Sequence, residues 1–348
     1  MTIDEFSSYT SYVEYAQHVA LAGFLSTTFF GFILIYLTVF GVTRSFGSYR
    51  KLLVTFALFG IFFATCEVLL KLNVYSHDAG WIFYTASRPF GLSQNTMSWL
   101  LSFYTGSYSI TTSILSIQFV YRYWAIFDES KLKIFDSWRF FLCIFLASLF
   151  AILWAMGMHY FLEFDDYSLN YFKTEMLQKF NINISEIAGV ALVAYSEDGS
   201  LRWWNILSNI NMTWIMSFQY AIIIYCAYKM HLKMETKLQM LSATLRTLHK
   251  QFYKTLILQI VTPTITLFSP IMVVNNLPLL NLKLDLPTGV FLCALTIYPA
   301  LDAVIVMYVV QDYRKAVENI FKKGVAKVQS TYNHSFFTHT HNGNTILF

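Results

Sequence analysis

The chain has 348 residues, of which 56% are hydrophobic and only 13% charged, and its formal net charge is +4. A soluble globular domain carries about 25% charged residues, so this composition excludes an ordinary soluble enzyme and indicates a membrane protein. The length leaves room for one helical bundle with short loops, one longer loop and a tail.

Seven runs contain no Lys or Arg and are long enough to cross about 30 Å of hydrocarbon as helices. They are 19–42, 52–70, 96–121, 140–162, 203–228, 255–280 and 288–310. Residues 1–18 hold Asp4, Glu5 and Glu14 and no basic residue. That is the reverse of a secretory signal, so the first span is expected to be an uncleaved anchor with 1–18 outside. Gly23 and Gly31 within it allow close contact with a neighbour. Residues 71–94 read as a loop with turn signals Asp78-Ala79-Gly80 and Arg88-Pro89. The third span is rich in hydroxyls. The fourth is followed by the longest connection, Glu163–Arg202, expected to be a loop. Its Asn183-Ile184-Ser185 is an N-glycosylation sequon. Two further matches, Asn211-Met212-Thr213 in the fifth span and Asn333-His334-Ser335 in the tail, are expected to be silent.

Between the fifth and sixth spans, Leu238, Leu241, Leu245, Leu248 and Phe252 recur at helical spacing, so both helices are expected to run on past the membrane. Pro263 and Pro270 should bend the sixth span. After the seventh, Tyr313, Ala316, Val317, Ile320 and Phe321 form an apolar stripe flanked by Arg314, Lys315, Lys322 and Lys323. This predicts a short amphipathic helix on the membrane surface over 311–328, followed by a disordered tail, 329–348.

The charges between spans sort by side. With the N-terminus outside, 18 of the 24 Lys and Arg residues fall on the cytoplasmic side and 6 on the other, the usual orientation signal. The fold class expected is therefore all-α: a seven-transmembrane helix bundle with an extracellular N-terminus and a cytoplasmic C-terminus. This is the topology of a G-protein-coupled receptor. Cys66, Cys143, Cys226 and Cys293 all lie within spans, so no loop-to-loop disulfide is available and small buried thiols are expected.

Some residues stand out as candidates for function. Arg122 and Tyr123 end the third span; rhodopsin-like receptors place an acid-Arg-Tyr triplet here, but Tyr121 replaces the acid. The plainer alternative for Arg122 is a snorkelling cation at the membrane edge. Glu67 lies in the outer part of the second span, with Lys71 one turn on in a favourable order for a local pair; ligand contact is the alternative. Asp302 has no basic residue within a turn and lies roughly 21 Å below the outer end of the seventh span, so it must face the bundle interior. It follows Tyr298-Pro299, which favours a role in switching. Ser98, Ser102 and Thr105, with Asn275 and Asn276 on the sixth span, could line a pocket open to the outside, although membrane hydroxyls are commonly satisfied by their own backbone. Aromatic residues make up 18% of the chain, which suits a largely apolar cavity and a small ligand. Arg246, Lys250 and Lys254, before the sixth span, are candidates for partner contact. The seventh span has no lysine for a retinal Schiff base. No catalytic motif, cofactor or metal site is indicated.

Several segments resemble the nematode serpentine chemoreceptors, class r (Str) or the related class J. They are Ser242-Ala243-Thr244-Leu245-Arg246, Gln251-Phe252-Tyr253-Lys254-Thr255-Leu256, Gln259, Pro263, Tyr298-Pro299-Ala300-Leu301-Asp302 and Asp312-Tyr313-Arg314. Phe119-Val120-Tyr121-Arg122-Tyr123 is similar to the family's third-helix end. Ala303 departs from the second proline that many members carry. The resemblance implies a chemosensory receptor in the plasma membrane of sensory-neuron cilia. It would couple a small chemical ligand to a heterotrimeric G protein, amid membrane lipids, with no nucleic acid involved and with homo- or hetero-dimerisation left open. The competing reading is a ligand-gated channel or transporter subunit. A transporter is expected to bury more charge or show repeated broken helices, and seven-helix insect odorant channels have the opposite orientation.

Overall fold

Seven long helices form the frame of this computed structural model, which describes residues 3–42, 49–136, 138–239, 257–282, 284–319 and 322. Helix α1 (Ile3–Tyr36) ends in a π turn, Leu37–Gly41, and is followed by α2 (Tyr49–Leu70). After α2 come strands β1 (Asn73–His77) and β2 (Gly80–Thr85), then α3 (Gln94–Phe127) and α4 (Arg139–Phe161). The chain continues through α5 (Asp166–Phe180), β3 (Ala188–Val193) and α6 (Trp203–Gln239). It ends with α7 (Ile257–Leu280), β4 (Asp285–Leu286), α8 (Gly289–Val309) and a last helix over 311–319. Six of these helices are apolar and long enough to cross a membrane. The seventh, α3, is less apolar because of its hydroxyls, and it runs through the interior with half of its residues buried.

The loops expected between spans are structured at one end of the bundle. Strands β3-β2-β1-β4 form a four-stranded antiparallel sheet that gathers three separate connections into one cap. Residues 71–94, read as a loop, contain the β1–β2 hairpin because Val74, Tyr75 and the run Trp81–Thr85 are β-branched or aromatic. Asp78 (φ 46°) and Ala79 make its two-residue turn. In the 163–202 connection, also read as a loop, α5 starts with a capping box between Asp165 and Ser168 and ends at left-handed Asn181. Side chains alternate across the sheet as the pleat requires. Trp81, Phe83, Val190 and Leu192 face the bundle core, whereas Ile82, Tyr84, Ala191 and Val193 pack beneath Phe172, Met176 and Phe180 of α5.

The first helix begins well before the expected span: α1 already runs through the N-terminal segment, and Tyr9 packs edge-on against Tyr75 and Phe180 of the cap. In the bundle, Gly23 meets Thr296 and Gly60 meets Pro299, so a Cβ at either position would collide with α8. These close approaches hold α1 and α2 against the middle of α8.

Helix α7 is interrupted between its two expected bends. Pro263 and Pro270 flank a π-helical stretch, Thr264–Phe268, where the proline ring removes the regular hydrogen bond. Helix α8 tightens into a single 3₁₀ turn, Leu295–Ile297, just before Tyr298-Pro299. After Val310, Tyr313 and Ala316 of the last helix are buried while Arg314 and Lys315 are exposed, and the Tyr313 hydroxyl meets Thr38 Oγ1 at 2.9 Å. Arg246, Lys250, Lys254 and the tail lie outside the described residues.

Candidate functional site: an apolar cavity beneath the cap and a polar layer at the opposite end

The cap roofs a cavity of about 80 Å³. Trp81 and Phe83 of β2 close it from above, and Phe63, Tyr104, Trp154 and Leu292 come from four different helices. The wall is almost wholly carbon. Thr105 and Asn275, two of the residues expected to line a pocket, are among its lining residues. Thr105 turns its hydroxyl back to Ser102 O (2.7 Å), and the Asn275 amide donates to Thr213 Oγ1 (3.2 Å). The Thr105 hydroxyl and the Asn275 amide N–H are therefore engaged within the bundle.

The other expected lining residues are placed elsewhere. Ser102 Oγ donates to its own helix at Ser98 O (3.0 Å), Ser98 Oγ reaches Gly189 O of β3 (3.4 Å), and Asn276 binds Met272 O (2.9 Å). Glu67 forms no ion pair with Lys71, contrary to the local pairing expected. Lys71 leaves the helix with φ 48° and is exposed, so it no longer continues the i, i+4 line. Glu67 instead turns inward, fully buried beside the Tyr104 hydroxyl, and accepts from Cys293 Sγ at 3.3 Å.

Further along α3 the hydroxyls bind α6. Gln219 donates to Ser109 Oγ (3.0 Å) and Ser113 Oγ (2.8 Å) and accepts from Thr112, while Ser116 Oγ donates to Gln219 O (3.0 Å). This network joins the two helices and explains why α3 is polar yet buried.

At the end away from the cap, Arg122 is buried rather than snorkelling, and its Nη2 donates to the Tyr49 hydroxyl of α2. Its Nε and Nη1 have no hydrogen-bond partner among the described residues. Tyr123 stacks obliquely on Phe127 and Tyr225, with centroids 5.0 and 6.4 Å away. Asp302 is fully buried and accepts from Gln259 Nε2 of α7, which leaves Oδ2 without a partner among the described residues. Tyr298, also buried, lies edge-on to Phe56 at 6.0 Å. Tyr49, Arg122, Tyr298 and Asp302 are within electrostatic reach of one another, so α2, α3 and α8 meet in one polar layer, with α7 joined through Gln259.

On the cap itself, Asn183 is exposed and its Oδ1 accepts from Ser185 N (3.2 Å) and Ser185 Oγ (2.9 Å). A separate polar node holds the third connection to the first two. Lys179 donates to Asp285 Oδ2 (2.8 Å) and to the Tyr75 hydroxyl (2.7 Å), and it pairs with Glu175 Oε2 (2.7 Å); His77 Nδ1 donates to Asp285 Oδ1. Burial alone would raise the Asp285 carboxyl, but the bonds from Lys179 and His77 outweigh it and hold the group below its ordinary value.

A buried arginine at one end of a seven-helix bundle and an apolar cavity beneath a loop cap at the other define the architecture of a seven-transmembrane receptor. The fold agrees: squid rhodopsin superposes with a TM-score of 0.59 at 14% identity, over 92% of this chain and 87% of that one. The family model for the serpentine type 7TM GPCR chemoreceptor Str matches residues 16–318. The chain belongs to that family, which comprises multi-pass membrane receptors rather than enzymes. It is 31% identical over 312 residues to G-protein coupled receptor str-33 of Caenorhabditis elegans, covering 88% of this chain and 90% of the relative. It is 26% identical to serpentine receptor class r-10 of the same nematode, covering 83% and 86%. Serpentine receptor class J-38 is more distant at 20%, covering 85% and 90%.

Proposed function

We propose that this chain is a chemosensory receptor of sensory-neuron cilia that takes a small, largely apolar molecule beneath its cap and activates a heterotrimeric G protein at the Arg122 end. The observation that carries the reading is the carbon-walled cavity of about 80 Å³ under the sheet. A 150 Å³ apolar cavity in another protein holds benzene, so a space about half that size suits a ligand of a few heavy atoms. Peptides and highly charged molecules are too large or too polar for it.

The orientation that fits this function puts the cap outside and Arg122 inside, and the excess of basic residues on the Arg122 side supports it. In that orientation the exposed Asn183 faces the compartment where glycans are added. Thr105 and Asn275 are the ligand-side candidates that border the cavity, and Glu67 stands one contact behind it through Tyr104. Arg122 and Tyr123, with Arg246, Lys250 and Lys254 of the connection before α7, are the residues proposed to meet the G protein. Tyr298, Pro299 and Asp302 are proposed to switch.

Screening small uncharged chemicals on cells that express this chain tests the proposal, with nucleotide exchange on the G protein and whole-cell current recorded together. Exchange without a direct current is expected. A ligand-evoked current that persists with G proteins disabled would overturn the coupling and favour a channel.

A further inference from the structure

The triplet that ends α3 lacks an acid, since Tyr121 stands before Arg122, so a lock within the triplet is impossible. Arg122 is nevertheless buried, at 7% exposure, and a buried cation needs a counter-charge. Tyr49 supplies a neutral hydroxyl to one of its nitrogens and a ring face, but no charge. The buried acid in the same layer is Asp302 on α8, whose own hydrogen bond comes from a neutral amide, Gln259. No direct ion pair joins the two charges; the Tyr298 hydroxyl, unpartnered among the described residues, lies in the same layer. Unsatisfied atoms concentrate here: Arg122 Nε and Nη1, Asp302 Oδ2, Tyr298 Oη, Gln259 Oε1 and both amide atoms of Gln118, one turn before Arg122. Polar atoms gathered this closely in a buried layer can exchange partners among themselves.

The position of Gln259 gives that arrangement a mechanical meaning. It lies just before Pro263 and the π-helical Thr264–Phe268, on the part of α7 away from the cap. A bend at this interruption would move Gln259 relative to α8 and break the hydrogen bond that Asp302 accepts from it.

We infer that Arg122 and Asp302 are counter-ions in the resting receptor, sharing one polar layer with Tyr298 and tied to α2 by Tyr49 and to α7 by Gln259. The pair replaces the acid missing from the triplet and releases Arg122 when α7 swings at Thr264–Phe268. This rests on the receptor reading above. It adds which two charges hold the resting state, and it makes Asp302 a positioning residue for Arg122 rather than a ligand contact.

The test is a double-mutant cycle on the full-length receptor: wild type, Arg122→Gln, Asp302→Asn and both together. Two quantities are read, the thermal unfolding midpoint of the solubilised protein and ligand-free nucleotide exchange on the G protein. Asp302→Asn should lower the midpoint more in the Arg122 background than in the Arg122→Gln background, and it should raise ligand-free exchange several-fold. Gln259→Leu, which keeps both charges, should also raise ligand-free exchange while the response to agonist persists. Additive midpoints would overturn the pairing. Coupled midpoints with unchanged basal exchange in both Asp302→Asn and Gln259→Leu would make the pair structural only and overturn the lock. Because unfolding needs no G protein, a wild-type chain that never drives exchange would defeat the receptor reading, while the cycle would still decide the pairing.

Discussion

The Tyr49 hydroxyl accepts a hydrogen bond from Arg122 Nη2, and the guanidinium carbon lies 5.1 Å from the centre of the same ring. One tyrosine of α2 therefore holds the arginine of α3 by an oxygen and by a ring face together. An arginine that merely marked the membrane edge would reach toward headgroups, whereas this one is folded into the bundle. Its removal should affect signalling more than insertion. Arg122→Ala is expected to keep surface level and ligand binding and to lose most G-protein activation. Loss of surface expression with no separate signalling defect would return Arg122 to the role of an anchor.

The cavity gives a second prediction. Val274 borders it, and Val274→Phe places a larger ring into about 80 Å³ of space. If displacing the ligand from the filled space costs about 1–3 kcal/mol, agonist affinity falls by roughly 5- to 150-fold. A concentration–response series should show that shift with the receptor still at the surface. An unchanged affinity would move the binding site elsewhere.

The polar node on the cap has a defined pH dependence. Asp285 is held below its ordinary value, so its contribution is present above the unfolded pKa and is lost as pH falls through the folded one. Lys179 shows the opposite sign: burial works against its charge, but bonds to Asp285, Glu175 and Tyr75 keep it raised, so its contribution is lost only in strong alkali. The node should thus hold across the neutral range and loosen in acid. Because the Asp285 side chain is 40% exposed, Asp285→Asn should cost about 1 kcal/mol or less at neutral pH. Backbone hydrogen exchange at 285–286 should accelerate in the variant and, in the wild type, below the ordinary aspartate range.

Topology can be read from one side chain and two epitopes. Asn183→Gln should abolish any N-glycan, seen as a single mobility change on glycosidase treatment. An epitope after Met1 should be reached on intact cells, and one at Phe348 only after permeabilisation. The reverse pattern would exclude the proposed orientation.

The sequence revealed the bundle more readily than the cap. Long uncharged runs must become helices in hydrocarbon, so the spans could be located from hydropathy and Lys/Arg placement alone. Even the α7 interruption was legible, because Pro263 and Pro270 each remove a hydrogen bond. The cap was not, since its strands are short and come from three separate connections whose pairing is non-local. Signals were present: the continuous aromatic and β-branched run Trp81, Ile82, Phe83 and Tyr84, the box Asp165-x-x-Ser168, and Phe172, Met176 and Phe180 at helical spacing. Each is brief, and they gain meaning only when the sheet assembles. The same holds for the sites. Arg122 stood out by its place at the end of the third span and Asp302 because charge within a span is rare, but Tyr49 and Gln259 join them through tertiary contact. The hydroxyls of α3 pointed to polarity, whereas the cavity wall is aromatic and aliphatic and most of those hydroxyls bind backbone or Gln219.

The most direct measurement is ligand-evoked nucleotide exchange by the purified receptor reconstituted with a heterotrimeric G protein, using a small uncharged ligand that raises the receptor's thermal midpoint. The account predicts exchange that rises with ligand in the wild type and is weakened in Val274→Phe. Ligand binding that raises the midpoint without any exchange, across G-protein classes, would contradict it.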